Sequence, residues 1–272
     1  MSTCIPLSSG PLARRIRSAA LQMVYQAKAS HIGSALSVTD IIAVLFSEVL
    51  RLDPANPNAP DRDRLILSKG HACTAIYAAL SEVGFFSADC LTEYGKDHSI
   101  FMTHISHKVP GVEFSTGSLG HGLPFGVGKA LASERMGANW KTFVILSDGE
   151  LDEGSNWEAF LFASHHHLDN LVAVIDYNKL QSLTTVDATL QLEPLSGKLR
   201  AFGWSVREVD GHSHSLLRES LTATPWEPGK PSILIAHTTK GKGVSFMENQ
   251  VEWHYRSPND ALLEQALSEV QR

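Results

Sequence analysis

The chain has 272 residues, a net charge of -6 and an apolar fraction of 43%, which together favour one large domain with a full core. Its basic residues form no cluster beyond ARRIR at 13–17, which argues against nucleic acid as a partner. No run of about 18 apolar residues and no signal-peptide pattern stand out, so no membrane span is predicted.

The three cysteines, Cys4, Cys73 and Cys90, are odd in number and widely spaced. This pattern argues against a disulfide framework and against a CxxC metal site. All three are predicted to be reduced, and a cytoplasmic location is the default expectation.

The N-terminal part of the chain is predicted to be helical. Apolar residues recur over 12–29 with the spacing of an amphipathic helix. A second helix is predicted over 38–49, with Ser37 as its N-cap and Asp40 in the first turn. After a proline-rich break, 64–68 is a strand candidate.

The middle of the chain combines helices with a long irregular stretch. A helix is predicted over 71–84, where Gly84 ends it. The polar and aromatic stretch 85–114 is predicted to be a long functional loop. A glycine-rich turn then leads into a helix that Gly137 ends.

The remainder alternates between strands and helices. The predicted strands are 142–147, 171–176, 203–209 and 232–238, and the predicted helices include 153–167 and 215–221. Strands that are apolar on both faces indicate an α/β fold with a mostly parallel sheet covered by helices on both faces. Residues 1–272 are predicted to form a single domain, with a loop-rich C-terminal tail from about residue 240.

Two polar residues follow neighbouring strand candidates, Asp148 after VILS and Asn178 after VAVIDY. A right-handed crossover returns the second strand parallel to the first, so both strand ends lie at the same edge of the sheet. That edge is where open α/β sheets bind ligands. A carboxylate and an amide oxygen suit Mg²⁺ with a diphosphate, although Asp, Gly and Asn also end strands simply as turn residues.

The stretch SDGELDEGSNWEAFLFASHHHLDNLVAVIDYNK at 147–179 resembles the thiamine diphosphate motif of the transketolase family. By this resemblance, Asp148, Asn178 and the carbonyl of Leu180 would bind Mg²⁺ or Ca²⁺, and Gly149 would border the cofactor. Ser147 departs from the family, which usually has glycine there.

The same resemblance assigns two glutamates of the motif. Glu153 and Glu158 match family glutamates near the subunit interface and the cofactor. A dinucleotide loop in GSLGHGLPFGVG is a weak alternative, because no strand directly precedes it. The run at 165–167, HHH, is not predicted to bind zinc, since consecutive helical residues point in different directions.

Four histidines match family segments in chain order. The segments are ASHIGSALSVTDI, LSKGHA, MTHISHKVPGVEF and KGKGVSFMENQVEWH, and the residues are His31, His71, His104 and His254. The resemblance implies that they line the active site, that His104 contacts the first hydroxyl of the substrate, and that His71 and His254 also contact the cofactor. Imidazoles can bind diphosphate and sugar oxygens and move protons near neutral pH.

The glycine-rich turn supplies further expected cofactor contacts. By the resemblance, the backbone at Gly117 and Leu119 borders the aminopyrimidine ring. His121 stands where most of the family has the glutamine of Gly-Gln-Gly. Both side chains can donate a hydrogen bond to a diphosphate, but a histidine makes that contact sensitive to pH.

A full transketolase is more than twice this length, and the resemblance covers only the N-terminal, diphosphate-binding half. The family glutamate that activates the aminopyrimidine lies in the absent half. The resemblance therefore implies a split enzyme, active only with a separate C-terminal transketolase subunit, in an α2β2 assembly. It would transfer a two-carbon ketol group from a ketose phosphate to an aldose in the pentose phosphate pathway.

Three alternatives remain open from the sequence. A related thiamine diphosphate enzyme, such as a 1-deoxyxylulose-5-phosphate synthase or a transketolase for an unusual sugar, would use the same residues. A nicotinamide dehydrogenase would instead show cofactor-dependent absorbance without thiamine. A non-catalytic assembly or regulatory subunit would bind no thiamine diphosphate in the reconstituted complex.

Overall fold

A parallel sheet forms the centre of the molecule in the computed structural model, which describes residues 8–271. The strands are β1 (Arg64–Leu67), β2 (Thr142–Ser147), β3 (Leu171–Tyr177), β4 (Ser205–Asp210) and β5 (Ser232–His237). They are all parallel and lie in the order β1-β2-β3-β5-β4. Every residue of β2 and β3 is buried, as their uninterrupted apolar runs predict. The predicted fold class is confirmed.

Helices cover both faces of this sheet. They are α1 (Ser9–Ala27), α2 (Ile32–Val44), α3 (Cys73–Glu82), α4 (Gly122–Arg135), α5 (Gly154–His165), α6 (Val186–Thr189), α7 (Leu195–Ala201), α8 (His214–Thr222) and α9 (Asp260–Val270). One hydrophobic core lies between the sheet and α1, α2, α3 and α8. A second core lies between the opposite face and α4, α5 and α7. The sheet is therefore buried on both sides, which leaves its edges as the places where a ligand can bind.

Helix α2 begins six residues before its predicted start. It starts at Ile32, and Ser37 is a fully buried residue within it rather than the N-cap. Every residue from Ile32 to Val44 is buried, so the helix has no polar face that could mark its start. A π-helical turn, Leu45–Val49, continues it. The Ser37 hydroxyl donates to Asp176 at the end of β3 over 2.5 Å.

The predicted tail from about residue 240 is less irregular than expected. It contains a 3-10 turn, Val251–His254, and ends in α9, which packs against α1. The predicted loop over 85–114 contains the 3-10 turn Ala88–Glu93. The boundaries of the other predicted elements differ by a few residues at their ends, which is common for helices and strands.

One helical segment, Ile32–Val49, is long and apolar enough to cross a membrane by length and composition, with a mean hydropathy of 1.6. The segment is not an unbroken apolar run, since it contains Asp40 and Glu48, so it does not contradict the prediction of no membrane span. In the fold, 78% of this segment is buried. The buried core helices of soluble proteins can be equally long and apolar.

Cys73 and Cys90 are free thiols, and Cys4 lies outside the described residues.

Two glycines of α4 differ in what surrounds them. A Cβ atom on Gly126 would lie 2.4 Å from Cγ2 of Val144 in β2, whereas nothing lies within 4 Å of a Cβ on Gly128. We expect Gly126→Ala to lower the free energy of unfolding by about 1–3 kcal/mol through overpacking. Gly128→Ala should raise it by about 0.5–1 kcal/mol, because alanine favours a helix.

Urea denaturation of the two variants, which lie close together on one helix, measures both effects. Equal stability changes at the two positions would contradict the close packing of α4 against β2.

Candidate active site at the carboxyl edge of the sheet

The two strand ends singled out in the sequence lie side by side. Strands β2 and β3 are in parallel register with Ser147 beside Asp176, which brings Asp148 next to the turn after β3. The Asp148 carboxylate accepts hydrogen bonds from the amides of Gly149 over 2.8 Å and Lys179 over 2.5 Å. The residues therefore form one structural unit and are not two unrelated turns.

The three expected metal ligands line one cavity. Asp148, Asn178 and Leu180 all border a cavity of about 250 Å³ at this edge, together with Gly149. The Asn178 Oδ1 accepts from the Leu180 amide over 3.1 Å, which orients the side chain. Within residues 8–271, no three His, Cys, Asp or Glu side chains form a metal-binding group. A cation here would instead use carboxylate, amide and carbonyl oxygens, the ligands that suit Mg²⁺ and Ca²⁺.

The four histidines surround the same cavity. His31 precedes α2, His71 lies in the turn before α3, His104 comes from the long loop, and His254 comes from the tail. The ring of His31 lies 5.2 Å from that of His71, 5.5 Å from His104 and 5.1 Å from His254, measured between centroids. Four separate segments thus bring imidazoles to one point.

His31 adopts a backbone conformation that is uncommon for its residue type. Its φ is 76°, in the left-handed region that non-glycine residues rarely occupy. Its amide donates to the carbonyl of His254 over 2.7 Å, and its own carbonyl accepts from Ser34 and Ala35. The conformation places the ring at the cavity and ties the start of α2 to the tail.

Burial keeps these imidazoles neutral. Burial, aided by nearby positive groups, lowers the pKa of His31 to about 4 and that of His254 to about 3. The same cause lowers the pKa of His71 well below its ordinary value, and burial also lowers that of His104. A neutral imidazole has one donor and one acceptor nitrogen. The cluster can therefore bind hydroxyl groups and accept protons at neutral pH.

The neutral cluster predicts a pH-dependent stability of the chain. Unfolded His31 titrates near its ordinary pKa of roughly 6.5, whereas folded His31 titrates at about 4. The unfolded state therefore binds more protons between these values, and stability is lost as the pH falls from about 6.5 to 4. His31→Asn, which tolerates the left-handed conformation, should reduce this slope.

Chemical denaturation of wild type and His31→Asn at intervals from pH 7 to pH 4 measures the difference. An identical pH slope in both proteins would show that His31 is not buried as a neutral group.

Two buried lysines that were not among the predicted site residues belong to the site. Lys69 and Lys240 line the cavity, and each is only 1% exposed. Lys69 forms an ion pair of 2.5 Å with Asp176. Lys240 has no ion pair among the described residues; its Nζ donates to the Leu180 carbonyl over 3.1 Å and lies 3.0 Å from Nδ1 of His254. The sequence signals were that Lys69 precedes His71 in LSKGHA, and that Lys240 begins the segment KGKGVSFMENQVEWH, which ends at His254.

The cavity fits an anion together with a divalent cation. Burial, with the negative charge of Asp176 adding to it, raises the pKa of Asp148 to about 6, so a bound cation would favour its ionised form. Burial and the charge of Lys69 lower the pKa of Lys240 to about 8. An unpaired buried ammonium is stabilised by a bound anion. Metal and diphosphate would together satisfy both groups.

The glycine-rich turn also lies at this edge, but only part of it faces the cavity. Gly117 and Leu119 line the cavity. His121 is exposed, and its Nδ1 lies 3.0 Å from the Leu119 carbonyl. The buried Glu150, which was not among the predicted site residues, accepts from the Gly120 amide over 2.9 Å and from the Ser68 hydroxyl. It ties the turn to β1 and β2.

The two motif glutamates do not reach the cavity. The Glu153 side chain lies against Gly120. A Cβ atom added to Gly120 would lie 2.7 Å from the Cβ atom of Glu153. Glu158 lines a separate apolar cavity of about 330 Å³ between α4 and α5, together with Leu131 and Phe162. Neither side chain therefore lines the cavity that the four histidines surround, and their cofactor contact stays a prediction from the family resemblance.

The sequence matches a known domain family. Residues 9–266 match the family described as transketolase, thiamine diphosphate binding domain. The chain is 41% identical over 254 residues to one subunit of the apulose-4-phosphate transketolase of Phocaeicola vulgatus, covering 93% of this chain and 90% of that one. It is 36% identical over 258 residues to one subunit of the 6-deoxy-6-sulfo-D-fructose transketolase of a Clostridium species, covering 94% of each.

The fold is similar to those of solved transketolases. The structure of the Leishmania mexicana enzyme matches with a TM-score of 0.93 and 29% identity, over 98% of this chain and 42% of that one. The Campylobacter jejuni enzyme matches with a TM-score of 0.91 and 28% identity, over 97% of this chain and 42% of that one. The chain thus spans less than half of these enzymes. Its sequence and fold show that it belongs to the transketolase family, as the thiamine diphosphate binding domain.

Proposed function

We propose that this chain is the N-terminal subunit of a split transketolase that transfers a two-carbon ketol group from a ketose phosphate to an aldose. The observation that carries the proposal is the cavity in which four neutral histidines face the oxygens of Asp148, Asn178 and Leu180. Neutral imidazoles suit sugar hydroxyls and proton transfer, and hard oxygens suit a divalent cation.

In this proposal the residues of the chain have distinct roles. Asp148, Asn178 and the Leu180 carbonyl hold Mg²⁺ or Ca²⁺, and Lys240 binds the diphosphate. Bound thiamine diphosphate supplies the carbanion chemistry. Turn residues Gly117 and Leu119 border its ring.

The histidines bind the sugar and move protons in this proposal. His31, His71, His104 and His254 hold the hydroxyl and carbonyl oxygens of the substrate, and His71 and His254 also contact the cofactor. Because each ring is neutral at pH 7, each can accept a proton from a hydroxyl on one nitrogen while it donates from the other. His121, Gly149, Glu153 and Glu158 stay predicted cofactor contacts.

The partner is proposed to be a separate C-terminal transketolase subunit. Relatives named as subunits match over 90% and 94% of their own lengths, whereas solved transketolases match over 42%. By family resemblance the other half carries the glutamate that activates the aminopyrimidine, so we expect this chain to be inactive alone. The α2β2 stoichiometry, the cytoplasmic location and the pentose phosphate pathway stay predictions.

Reconstitution tests the proposal. The chain alone, with thiamine diphosphate and Mg²⁺, should show no ketol transfer above background, and adding the C-terminal subunit should restore turnover. Full turnover by the chain alone would contradict the split enzyme. The absence of a thermal shift with thiamine diphosphate and Mg²⁺ in the complex would instead indicate a non-catalytic assembly subunit.

The donor sugar needs its own comparison. The two relatives are named for apulose 4-phosphate and for 6-deoxy-6-sulfofructose, so both compounds belong in a donor panel beside common ketose phosphates. Condensation of pyruvate with an aldose phosphate in the same assay would indicate a 1-deoxyxylulose-5-phosphate synthase.

A further inference from the structure

The segment that carries Lys240 is held on both sides of that lysine. The segment follows β5, and its Thr239 amide donates to Nε2 of His212 over 2.8 Å. Further along, the Lys242 carbonyl accepts from Nε of Arg17 over 3.1 Å. Lys240 therefore lies between two hydrogen bonds, one from the turn after β4 and one from α1.

Asp40 of α2 links these two contacts beneath the segment. Its Oδ2 lies 2.7 Å from Nδ1 of His212 and 2.6 Å from Nη2 of Arg17. Its Oδ1 lies 3.0 Å from Nε2 of His214. Although burial alone would raise the pKa of Asp40, hydrogen bonds from the two histidines and the charge of Arg17 hold it well below its ordinary value. Asp40 is therefore a carboxylate at neutral pH.

These contacts determine which nitrogen of His212 carries the proton. Nε2 accepts from a backbone amide, so it is unprotonated. Nδ1 faces the Asp40 carboxylate, so it carries the hydrogen and donates it. The carboxylate thus fixes both the tautomer and the ring orientation, as carboxylates do for histidines behind metal sites.

Lys240, between these two hydrogen bonds, lines the cavity. The Lys240 ammonium is buried, lacks an ion pair among the residues described, and reaches the Leu180 and Gln181 carbonyls. A lysine side chain is long and flexible, so an anion site built on it depends on where the backbone holds its Cα. The hydrogen bond to Thr239 acts one residue away from that Cα.

We propose that His212, oriented by Asp40, is a positioning residue that holds the backbone at Thr239 and thereby fixes the Lys240 ammonium at the anion position of the cavity. The identity of that anion as a diphosphate rests on the proposed function. The hydrogen-bond network itself does not depend on it.

Amide hydrogen exchange tests the positioning step on the full chain. His212→Phe removes both ring contacts and should accelerate exchange of the Thr239 amide about tenfold, the size expected for one lost hydrogen bond. His212→Gln, which keeps a donor and an acceptor, should restore most of the protection. His214→Phe is the matched control, because His214 also contacts Asp40 but not the segment, and it should leave Thr239 exchange unchanged.

Affinity measurements on the complex with the C-terminal subunit test the link to Lys240. With Mg²⁺ present, His212→Phe should weaken binding of thiamine diphosphate and inorganic diphosphate by about 10- to 100-fold, the range for residues behind a site. In a Lys240→Met background, His212→Phe should weaken this binding little further, because both substitutions remove the same interaction between Lys240 and the anion.

Two results would overturn the positioning role: unchanged Thr239 exchange in His212→Phe, or equal losses of affinity with and without Lys240. If His212→Phe does not fold, both measurements are repeated on His212→Ala, whose smaller side chain cannot overpack the site. A wild-type complex that binds no thiamine diphosphate would refute the proposed function, whereas Thr239 exchange would still decide the role of His212.

Discussion

Asp148→Ala is expected to abolish Mg²⁺-dependent binding of thiamine diphosphate in the assembled complex, with a loss of affinity of at least about 100-fold. Asp148 provides the only carboxylate among the three proposed metal ligands, so its removal leaves Asn178 and the Leu180 carbonyl without a charged ligand. Calorimetric titration of thiamine diphosphate at saturating Mg²⁺ measures the effect.

The variant Asp148→Asn shows whether a loss of cofactor affinity comes from the missing metal ligand or from a destabilised fold. In the absence of cofactor, burial raises the pKa of Asp148 to about 6, above its unfolded value of roughly 3.9. Its ionisation therefore costs stability as the pH rises from about 4 to 6, and this cost is fully present at pH 7. The asparagine variant removes this cost but also loses one of the two oxygens that accept from the Gly149 and Lys179 amides. It should therefore unfold at a temperature close to that of wild type at pH 7, yet lose cofactor affinity.

Asp152→Asn is the matched control for the loss of a carboxylate in this turn. Asp152 accepts from Nε2 of Gln181 over 2.8 Å and does not line the cavity. Its variant should bind thiamine diphosphate like wild type. Cofactor binding that survives in Asp148→Ala would exclude the proposed metal position.

His104→Ala should lower turnover about 100-fold or more while leaving thiamine diphosphate affinity nearly unchanged. Such a loss is typical of a removed general acid or base. His104 is half-buried at the cavity, burial lowers its pKa, and the family resemblance places it at the first hydroxyl of the substrate. Steady-state kinetics of the complex and a parallel cofactor titration separate the two quantities.

His107→Ala is the control for this prediction. The His107 ring is exposed and lies 2.7 Å from the Ser115 hydroxyl, away from the cavity. The complex that carries His107→Ala should turn over substrate at the wild-type rate. Equal losses of turnover and cofactor affinity in His104→Ala would contradict the substrate role assigned to His104.

The sheet was predictable because its strands are buried on both faces. Uninterrupted apolar runs such as those of β2 and β3 allow few other interpretations, and the parallel crossover then places Asp148 beside Asn178. The start of α2 was not predictable in the same way, since all its residues are buried and no polar face marks its first turn. Helix α9 has two buried positions, Ala266 and Val270, so little in its pattern distinguished it from the loop-rich tail predicted from about residue 240.

The site was predictable only where a motif marked it. The four histidines stood in recognisable segments, but a lysine in a sequence is expected on the surface. Lys69 and Lys240 become site residues through their burial, which depends on contacts with distant segments. The same is true of His212, whose role follows from Asp40, a residue far away in the chain.

The docking of α9 has a consequence for the tail that precedes it. The segment 238–259 is anchored at one end by β5 and at the other by α9, where Tyr25 of α1 donates to Asp260 over 2.8 Å and Ala266 is buried. Fixing both ends reduces the entropy that the intervening residues lose when they order. The last helix, the segment and its histidine, His254, should therefore unfold together as one cooperative unit, even though no residue of α9 lines the cavity.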